Sequence, residues 1–173
     1  MKQKLPLLLQ LLAVALVGGL CWALSAAMSE QHIIEPGDKA PNFSIVTDSG
    51  RTITRSDFGG RVLVLNFWAT WCPPCVEEIP SLNAMQQQLA SRGVVVLAIS
   101  VNKNEETYRQ FLNQARVSFL TARDPEADIS ASYGTYKYPE TYIINKDGRV
   151  VAKMISNQNW TSPEVLQQIE AAM

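Results

Sequence analysis

The residues best suited to chemistry in this sequence are two cysteines, Cys72 and Cys75, separated by two prolines. A haem-attachment motif would need a histidine directly after the second cysteine, where Val76 stands. A structural zinc site would need four ligands, and the chain has no second cysteine pair and only one histidine. A purely structural disulfide across so short a loop stabilises a fold by only about 2 kcal/mol. The spacing therefore favours a redox-active pair.

The position of the pair supports this interpretation. An apolar run typical of a buried strand ends at Phe67, and a helical pattern begins directly after the motif. At the N-cap of that helix, Cys72 would gain thiolate character from the positive end of the helix dipole. Cys75 returns alongside it three residues later and can attack a mixed disulfide. We therefore predict that Cys72 is the nucleophile and Cys75 the resolving thiol.

The two prolines between the cysteines modify this chemistry. Pro73 and Pro74 carry no N–H, so only the amide of Cys75 remains to stabilise a thiolate at Cys72. We expect a less acidic Cys72 thiol, and hence a less oxidising couple, than in motifs with polar residues between the cysteines. Since a residue before proline avoids helical backbone, the regular helix is predicted to begin at Pro74.

Alternating strand and helix patterns surround the motif. Apolar runs predict buried strands at 61–67 and 94–100, and apolar spacings of three and four predict helices at 74–91, kinked at Pro80, and at 105–115. Further predictions are hairpins at 43–54 and 141–155, a short strand at 117–120, a short helix opened by Asp124 and closed by Gly134, and a last helix from Ser162. This order indicates an α/β fold with a central sheet covered by helices on both sides.

The N-terminal 29 residues differ in character from the rest. An uncharged run of 25 residues, Leu5 to Ser29, follows Lys2 and Lys4. A membrane span needs about 20 apolar residues, so we predict a retained transmembrane helix in which Cys21 is a small apolar residue. A cleaved signal peptide is the alternative, because small residues at 23–27 resemble a cleavage site. The two lysines place the N-terminus in the cytoplasm and the rest of the chain outside it.

Length and charge limit the remaining possibilities. A chain of 173 residues has room for one domain, predicted at 36–173, after a tether at 30–35 that contains His32. A hydrophobic share of 47% is enough for a packed core. The formal net charge of −1 offers no basic stripe to a nucleic acid, so we expect no nucleic-acid partner.

The segment from Asn66 to Cys75, NFWATWCPPC, with Pro80 five residues later, resembles the active-site motif of the thioredoxin superfamily. More narrowly, it resembles the membrane-anchored TlpA/ResA and cytochrome c maturation (CcmG/DsbE) proteins, and the resemblance covers most of 36–173. It implies a thioredoxin-like α/β fold, in which a central mixed sheet is flanked by helices. An N-terminal β-hairpin would be added to that fold, and one transmembrane helix would precede it.

The resemblance assigns further residues to the site. Pro139 matches the family's cis-proline, which lies against the cysteines. Tyr138 before it would then pair through its backbone with an extended substrate. We also expect Trp71 to be partly exposed beside the cysteines. The full set of predicted substrate contacts is Trp71, Pro73, Pro74, Tyr138, Pro139 and Glu140.

Glu78 matches an acid that this branch carries near the cysteines. On a helix it lies about 60° from Cys75, whereas Glu77 lies about 160° away. Glu78 is therefore the candidate to exchange a proton with Cys75, with its pKa raised if it is partly buried. A solvated glutamate favoured by the helix dipole is the alternative. Asn66 stands where thioredoxin has a buried acid, and an amide cannot transfer that proton.

The family implies a thiol–disulfide oxidoreductase that acts as a reductant on the outer, periplasmic side of the bacterial cytoplasmic membrane. Reduced Cys72 would attack a disulfide of a target protein, such as apocytochrome c, and Cys75 would resolve the mixed disulfide. A membrane electron donor of the DsbD/CcdA type would regenerate the enzyme. No cofactor or metal is expected beyond the redox-active cysteine pair.

Two other functions compete with this one. A peroxiredoxin-like peroxidase also begins with a segment such as Ala40 to Phe43, but its site needs Pro and Thr where Leu65 and Ala69 stand. A copper chaperone of the Sco type would need a wider cysteine spacing and a histidine within the domain, which has none after His32.

Overall fold

The computed structural model describes residues 7–27 and 33–173, and the chain divides into two units, residues 1–31 and 32–173. The first unit contains helix α1, Leu7–Ala27. Within the described ranges, no helix is long and apolar enough to cross a membrane, so the predicted transmembrane helix is not confirmed. His32, in the predicted tether, lies outside the described residues.

The second unit is built around a five-stranded mixed sheet. A hairpin of β1 (Ser44–Val46) and β2 (Thr52–Thr54) precedes it. The sheet strands are β3 (Val62–Trp68), β4 (Val94–Ser100), β5 (Leu120–Arg123), β6 (Glu140–Ile144) and β7 (Val150–Ile155), in the spatial order β5-β4-β3-β6-β7. The first three run parallel, whereas β6 is antiparallel to both β3 and β7. The helices are α2 (Pro73–Leu89), α3 (Glu105–Ala115), α4 (Asp128–Ser132) and α5 (Pro163–Ala171). The predicted α/β class, with its added hairpin, is confirmed.

The central strand β3 is buried along all seven residues. Val62, Val64 and Trp68 belong to one core, shared with α2, α3 and α5. Leu63, Leu65 and Phe67 belong to a second core on the opposite face. A strand covered on both faces is apolar throughout rather than at alternate positions, which is why it is recognisable in the sequence. This burial fixes the carboxyl end of β3, from which the cysteine loop emerges.

Several boundaries differ from the predictions, and three of the differences bear on local structure. Helix α2 begins at Pro73 rather than Pro74, because the first helical position needs no N–H and proline already has a suitable φ. Strand β5 starts at Leu120 rather than at 117, because its pairing with β4 begins at Leu120. Helix α4 starts at Asp128 rather than after Asp124. The Asp124 carboxylate still caps it, since Oδ2 accepts a hydrogen bond from the amide of Ile129 at 2.8 Å.

Candidate active site

Cys72 and Cys75 form a disulfide at the N-terminus of α2, with their Cα atoms 5.3 Å apart. Cys72 is the N-cap residue with extended backbone, and its carbonyl accepts a hydrogen bond from the amide of Val76 at 3.2 Å. Cys72 keeps 5% of its surface exposed, whereas Cys75 has none. An attacking group can therefore approach Cys72 more readily than Cys75.

An aromatic rim lies beside the cysteines. Trp71 is 64% exposed, and the edge of its ring packs against Tyr138 with a centroid distance of 6.1 Å. The Tyr138–Pro139 peptide bond is cis. Because Glu140 pairs with Phe67, Pro139 lies at the same end of the sheet as the cysteine loop. The structure thus brings Trp71, Tyr138 and the cysteines to one edge of the domain, with Pro73 exposed and Pro74 half-buried between them.

Glu78 is buried one turn after Cys75 in α2, with only 2% of its surface exposed. Its Oε1 accepts a hydrogen bond from Asn66 Nδ2 at 2.9 Å, and Oε2 accepts one from the amide of Gln158 at 3.1 Å. The indole Nε1 of Trp160 also donates to Oε2 at 3.1 Å. Burial raises the pKa of Glu78 to about 7, although all three hydrogen bonds oppose that rise. The carboxyl can thus gain and lose a proton near neutral pH.

Glu77 has a different environment from its neighbour. It is exposed, and its Oε2 accepts a hydrogen bond from Asn157 Nδ2 at 3.1 Å. The two glutamates therefore differ as helical geometry predicts, because Glu78 is among the buried residues of α2 and Glu77 is exposed.

Asn66 connects Glu78 to the sheet. Its Nδ2 also donates to Thr141 Oγ1 at 2.8 Å, whereas its buried Oδ1 has no hydrogen-bond partner among the described residues. An amide in this position can contact either protonation state of the glutamate, as a donor through Nδ2 or as an acceptor through Oδ1.

Glu140, one of the predicted substrate contacts, has a fully buried side chain, so that side chain does not reach the surface near the cysteines. Alternation along β6 directs it to the face opposite Thr141, where it is fully buried. Its Oε1 accepts a short hydrogen bond from Tyr142 and lies 3.4 Å from Lys153 Nζ. Glu140 therefore belongs to a buried polar cluster in the second core.

Two residues near the site were not expected from the sequence. Trp160 holds the Glu78 carboxyl from 82 positions away, and Asn102 at the end of β4 holds Thr70 in the cysteine loop. Both contacts are long-range, so no local pattern marks them. A polar asparagine two residues after the end of the buried strand β4 was the available sequence signal for Asn102. In the part of the chain that the structure describes, no group of three or more His, Cys, Asp or Glu side chains is arranged to hold a metal ion.

Comparisons with known proteins agree with this geometry. The AhpC/TSA family model matches residues 36–153. Thiol-disulfide oxidoreductase ResA of Bacillus cereus is 32% identical over 130 residues, which cover 75% of each chain. Thioredoxin-like protein YneN of Bacillus subtilis is 34% identical over 163 residues, which cover 92% of this chain and 94% of that relative.

Among solved structures, a protein from Chlorobium tepidum assigned as thiol:disulfide interchange protein DsbE has a TM-score of 0.76 at 32% identity. The match covers 80% of this chain and 98% of that one, and it confirms the thioredoxin-like fold. The disulfide at the start of α2 and these relatives identify an enzyme of thiol–disulfide exchange. This chain belongs to the AhpC/TSA family and, within it, to the thioredoxin-like branch of ResA-type thiol-disulfide oxidoreductases.

Proposed function

We propose that this thiol–disulfide oxidoreductase reduces disulfides of other proteins outside the cytoplasm. The Cys72–Cys75 disulfide at the N-terminus of α2 is the observation that carries the exchange activity, and the unequal burial of the two cysteines supports Cys72 as the attacking thiol. The Cys72 thiolate attacks one sulfur of the target disulfide, and the other target sulfur leaves as a thiolate. Cys75 then attacks Cys72 Sγ, which releases the second target thiol and forms the Cys72–Cys75 disulfide.

Glu78 is the proton acceptor for the second step. The Cys75 thiol must lose its proton as it attacks, and Glu78 lies one helical turn further along α2. With a pKa of about 7, its carboxylate can accept that proton at neutral pH. We expect Glu78→Gln to slow disulfide exchange near neutral pH, and an unchanged rate would remove Glu78 from the reaction.

The prolines favour the reducing direction. Pro74 withholds the N2 amide, which would otherwise donate to a side chain at the N-cap, so the Cys72 thiolate of the reduced form lacks the stabilisation that makes strong oxidants. A measured pKa of about 4 for Cys72, a value typical of strong oxidants, would contradict this direction.

The sequence supports a place and partners for this activity. The uncharged run from Leu5 to Ser29, behind Lys2 and Lys4, fits an N-terminal anchor or an export signal that places residues 36–173 outside the cytoplasm. The resemblance to the cytochrome c maturation proteins supports apocytochrome c-like targets. An oxidising compartment cannot regenerate the dithiol, so a membrane electron donor of the DsbD/CcdA type would supply electrons.

Trapping tests the proposed attack. A Cys75→Ala variant of the full-length chain lacks the resolving thiol, so it should accumulate a mixed disulfide at Cys72 that mass spectrometry can identify. The Cys72→Ala variant is the matched control and should trap nothing. Equal trapping by both variants, or trapping by Cys72→Ala alone, would overturn the assigned order of attack.

A peroxidase is the second candidate, because the AhpC/TSA family model matches this chain. Leu65 and Ala69 are both fully buried and apolar, and they offer no hydroxyl group to a peroxide. We expect no dithiol-dependent consumption of hydrogen peroxide above that of the Cys72→Ala variant.

A copper titration of the reduced protein tests the alternative of a Sco-type copper chaperone, which would require stoichiometric copper binding.

A further inference from the structure

A segment between β7 and α5, residues 156–160, packs along the turn of α2 that follows Cys75. The amide of Trp160 donates to Ser81 Oγ at 3.2 Å. The single proton of that hydroxyl has two acceptors within reach, the carbonyl of Glu78 at 2.9 Å and the carbonyl of Gln158 at 3.3 Å. The amide of Gln158 and the indole of Trp160 both reach Glu78 Oε2. The segment is therefore held against α2 by hydrogen bonds at Glu78 and Ser81 and by the buried ring of Trp160.

Trp160 supplies the side-chain part of this hold. It is fully buried in the core that also contains Cys72 and Cys75, so its ring position is fixed by packing. Its Nε1 can only donate, and it donates to Glu78. A donor to a carboxylate favours the charged form of the acid, whereas burial favours the neutral form.

We propose that Trp160 is a positioning residue for thiol–disulfide exchange, holding the Glu78 carboxyl through its indole N–H and so setting the pH at which Glu78 exchanges its proton. This inference rests on the proposed role of Glu78. Asn66, on strand β3, contacts the other oxygen of the Glu78 carboxyl. Its Nδ2 suits the carboxylate, and its unpartnered Oδ1 becomes an acceptor for the protonated carboxyl when the amide turns over.

Among the residues that the structure describes, no charged side chain contributes to the environment of Glu78. Its partners are the amide of Asn66, the backbone of Gln158 and the indole of Trp160, and burial is the largest influence on its pKa. On its own helix, Glu77 is exposed and bonded to Asn157, while Cys75 is held in the disulfide. The hydrogen bond from Trp160 can therefore be varied without changing a neighbouring charge.

The reaction that reports on Glu78 is reduction of the Cys72–Cys75 disulfide by dithiothreitol. A dithiothreitol thiolate attacks Cys72 Sγ, the S–S bond breaks, and Cys75 leaves with the electron pair. Protonated Glu78 gives its proton to that sulfur, and the second dithiothreitol thiol then releases Cys72. The rate per unit of dithiothreitol thiolate should therefore fall as the pH rises through the pKa of Glu78.

The experiment compares Trp160→Phe with Trp68→Phe in the full-length oxidised chain. Both tryptophans are fully buried in the same core, but Trp68 Nε1 has no hydrogen-bond partner within residues 7–27 and 33–173. The pKa of Glu78 is followed by carboxyl carbon NMR, assigned by difference from Glu78→Gln, alongside the rate of reduction from pH 5 to 9. In Trp160→Phe we expect the pKa of Glu78 and the pH midpoint of the fall in rate both to rise by about one unit. A shift of this size corresponds to the loss of one hydrogen bond to a charged group. In Trp68→Phe neither should move.

Ser81→Ala is a second variant that loosens the segment without removing a large side chain, and it should move the pKa of Glu78 upward by a smaller amount. A pKa that moves no further in Trp160→Phe and Ser81→Ala than in Trp68→Phe overturns the role of Trp160. If the pKa of Glu78 moves in Trp160→Phe while the pH profile of the rate does not, then Trp160 positions the Glu78 carboxyl, but Glu78 takes no part in the proposed reaction.

Discussion

Asn102 holds Thr70, two residues before Cys72, through both ends of its side-chain amide. Its Oδ1 accepts a hydrogen bond from the Thr70 amide at 2.8 Å, and its Nδ2 donates to Thr70 Oγ1 at 2.6 Å. Ser100 Oγ donates to the same Oδ1 at 2.8 Å, and Asn102 is 97% buried, with 3% of its surface exposed. The loop that presents the cysteines is thus fastened to the end of the neighbouring strand.

Replacing Asn102 with alanine should release this loop. The amide of Thr70 would lose its partner, so we expect the free energy of unfolding to fall by about 2 kcal/mol, as measured by urea denaturation of the oxidised protein. Asn157→Ala is the control, since that side chain is exposed and bonds to an exposed glutamate. An equal loss in both variants would show that the Thr70 contact has no special role.

Pro74 withholds the amide best placed to stabilise a thiolate at the N-cap, because N2 and N3 amides are the donors to a capping side chain. Pro74→Ala restores that donor and should lower the pKa of the Cys72 thiol by about one unit. The reduction potential should become less negative by up to about 30 mV, since the reduced form gains the stability.

Pro73→Ala is the matched control, because it removes a proline from N1 without adding the N2 donor. Thiol titration and equilibration with a glutathione buffer measure the two quantities. If Pro73→Ala lowers the pKa of Cys72 as much as Pro74→Ala does, the effect belongs to chain flexibility rather than to the N2 amide.

The parts of the fold that were predictable from the sequence are those with strong local signals. The continuous apolar runs of β3 and β4 predicted buried strands, and the helix at 105–115 was predicted with its observed bounds. Helix α4 was misplaced because Asp124 caps it from five residues away, across an intervening turn in which Ala127 has a positive φ of 61°. Such a cap depends on the folded path of the chain, not on adjacent residues.

The site was predictable to the extent that it lies within one continuous segment. The cysteine pair and the orientation of Glu78 relative to Glu77 follow from helical geometry. The hydrogen-bond partners of Glu78 cannot be predicted in this way, because Gln158 and Trp160 reach it only when the segment between β7 and α5 folds against α2. The burial of the Glu140 side chain was not predicted, because alternation and register, rather than closeness to Pro139 in sequence, decide which face it occupies.

Glu78 should make stability depend on pH. Its pKa is about 7 in the folded protein and 4.5 for the unperturbed group, so between these values the folded state binds more protons than the unfolded state. The free energy of unfolding should therefore fall as the pH rises from 4.5 to 7, by about 3 kcal/mol in total.

Glu78→Gln abolishes this dependence, because an amide does not titrate and Asn66 can turn over to accept from it. Urea denaturation at pH 5 and pH 8 measures the effect. Relative to the wild type, the free energy of unfolding of Glu78→Gln should be higher at pH 8 than at pH 5. Glu77→Gln is the control, since that carboxylate is exposed. A constant difference between Glu78→Gln and wild type across this range would contradict the prediction.

Lys153 is the cation of the buried cluster around Glu140, with its side chain 6% exposed and its Nζ 3.1 Å from Glu35 and 3.4 Å from Glu140. Lys153→Met leaves the buried Glu140 carboxylate with Tyr142 as its hydrogen-bond donor, so we expect a loss of about 3 kcal/mol in the free energy of unfolding. The double variant Glu140→Gln, Lys153→Met removes the charge as well and should recover most of that loss. Lys146→Met, on an exposed turn, should change stability by less than about 0.5 kcal/mol.

Trp71 offers a test of the aromatic rim as a protein-binding surface. Because 64% of its surface is exposed and its main ring contact is with Tyr138, Trp71→Ala should leave the core intact and remove apolar area from the approach to Cys72. We expect KM for a protein disulfide to rise about tenfold, the size of effect expected for an exposed aromatic anchor, while the rate of reduction by dithiothreitol changes by less than about twofold. Val46→Ala, an exposed apolar truncation on β1, is the control and should alter neither value. If the dithiothreitol rate falls in step with the protein-disulfide rate, Trp71 acts by shaping the cysteine loop, because a small dithiol does not need the rim to reach Cys72.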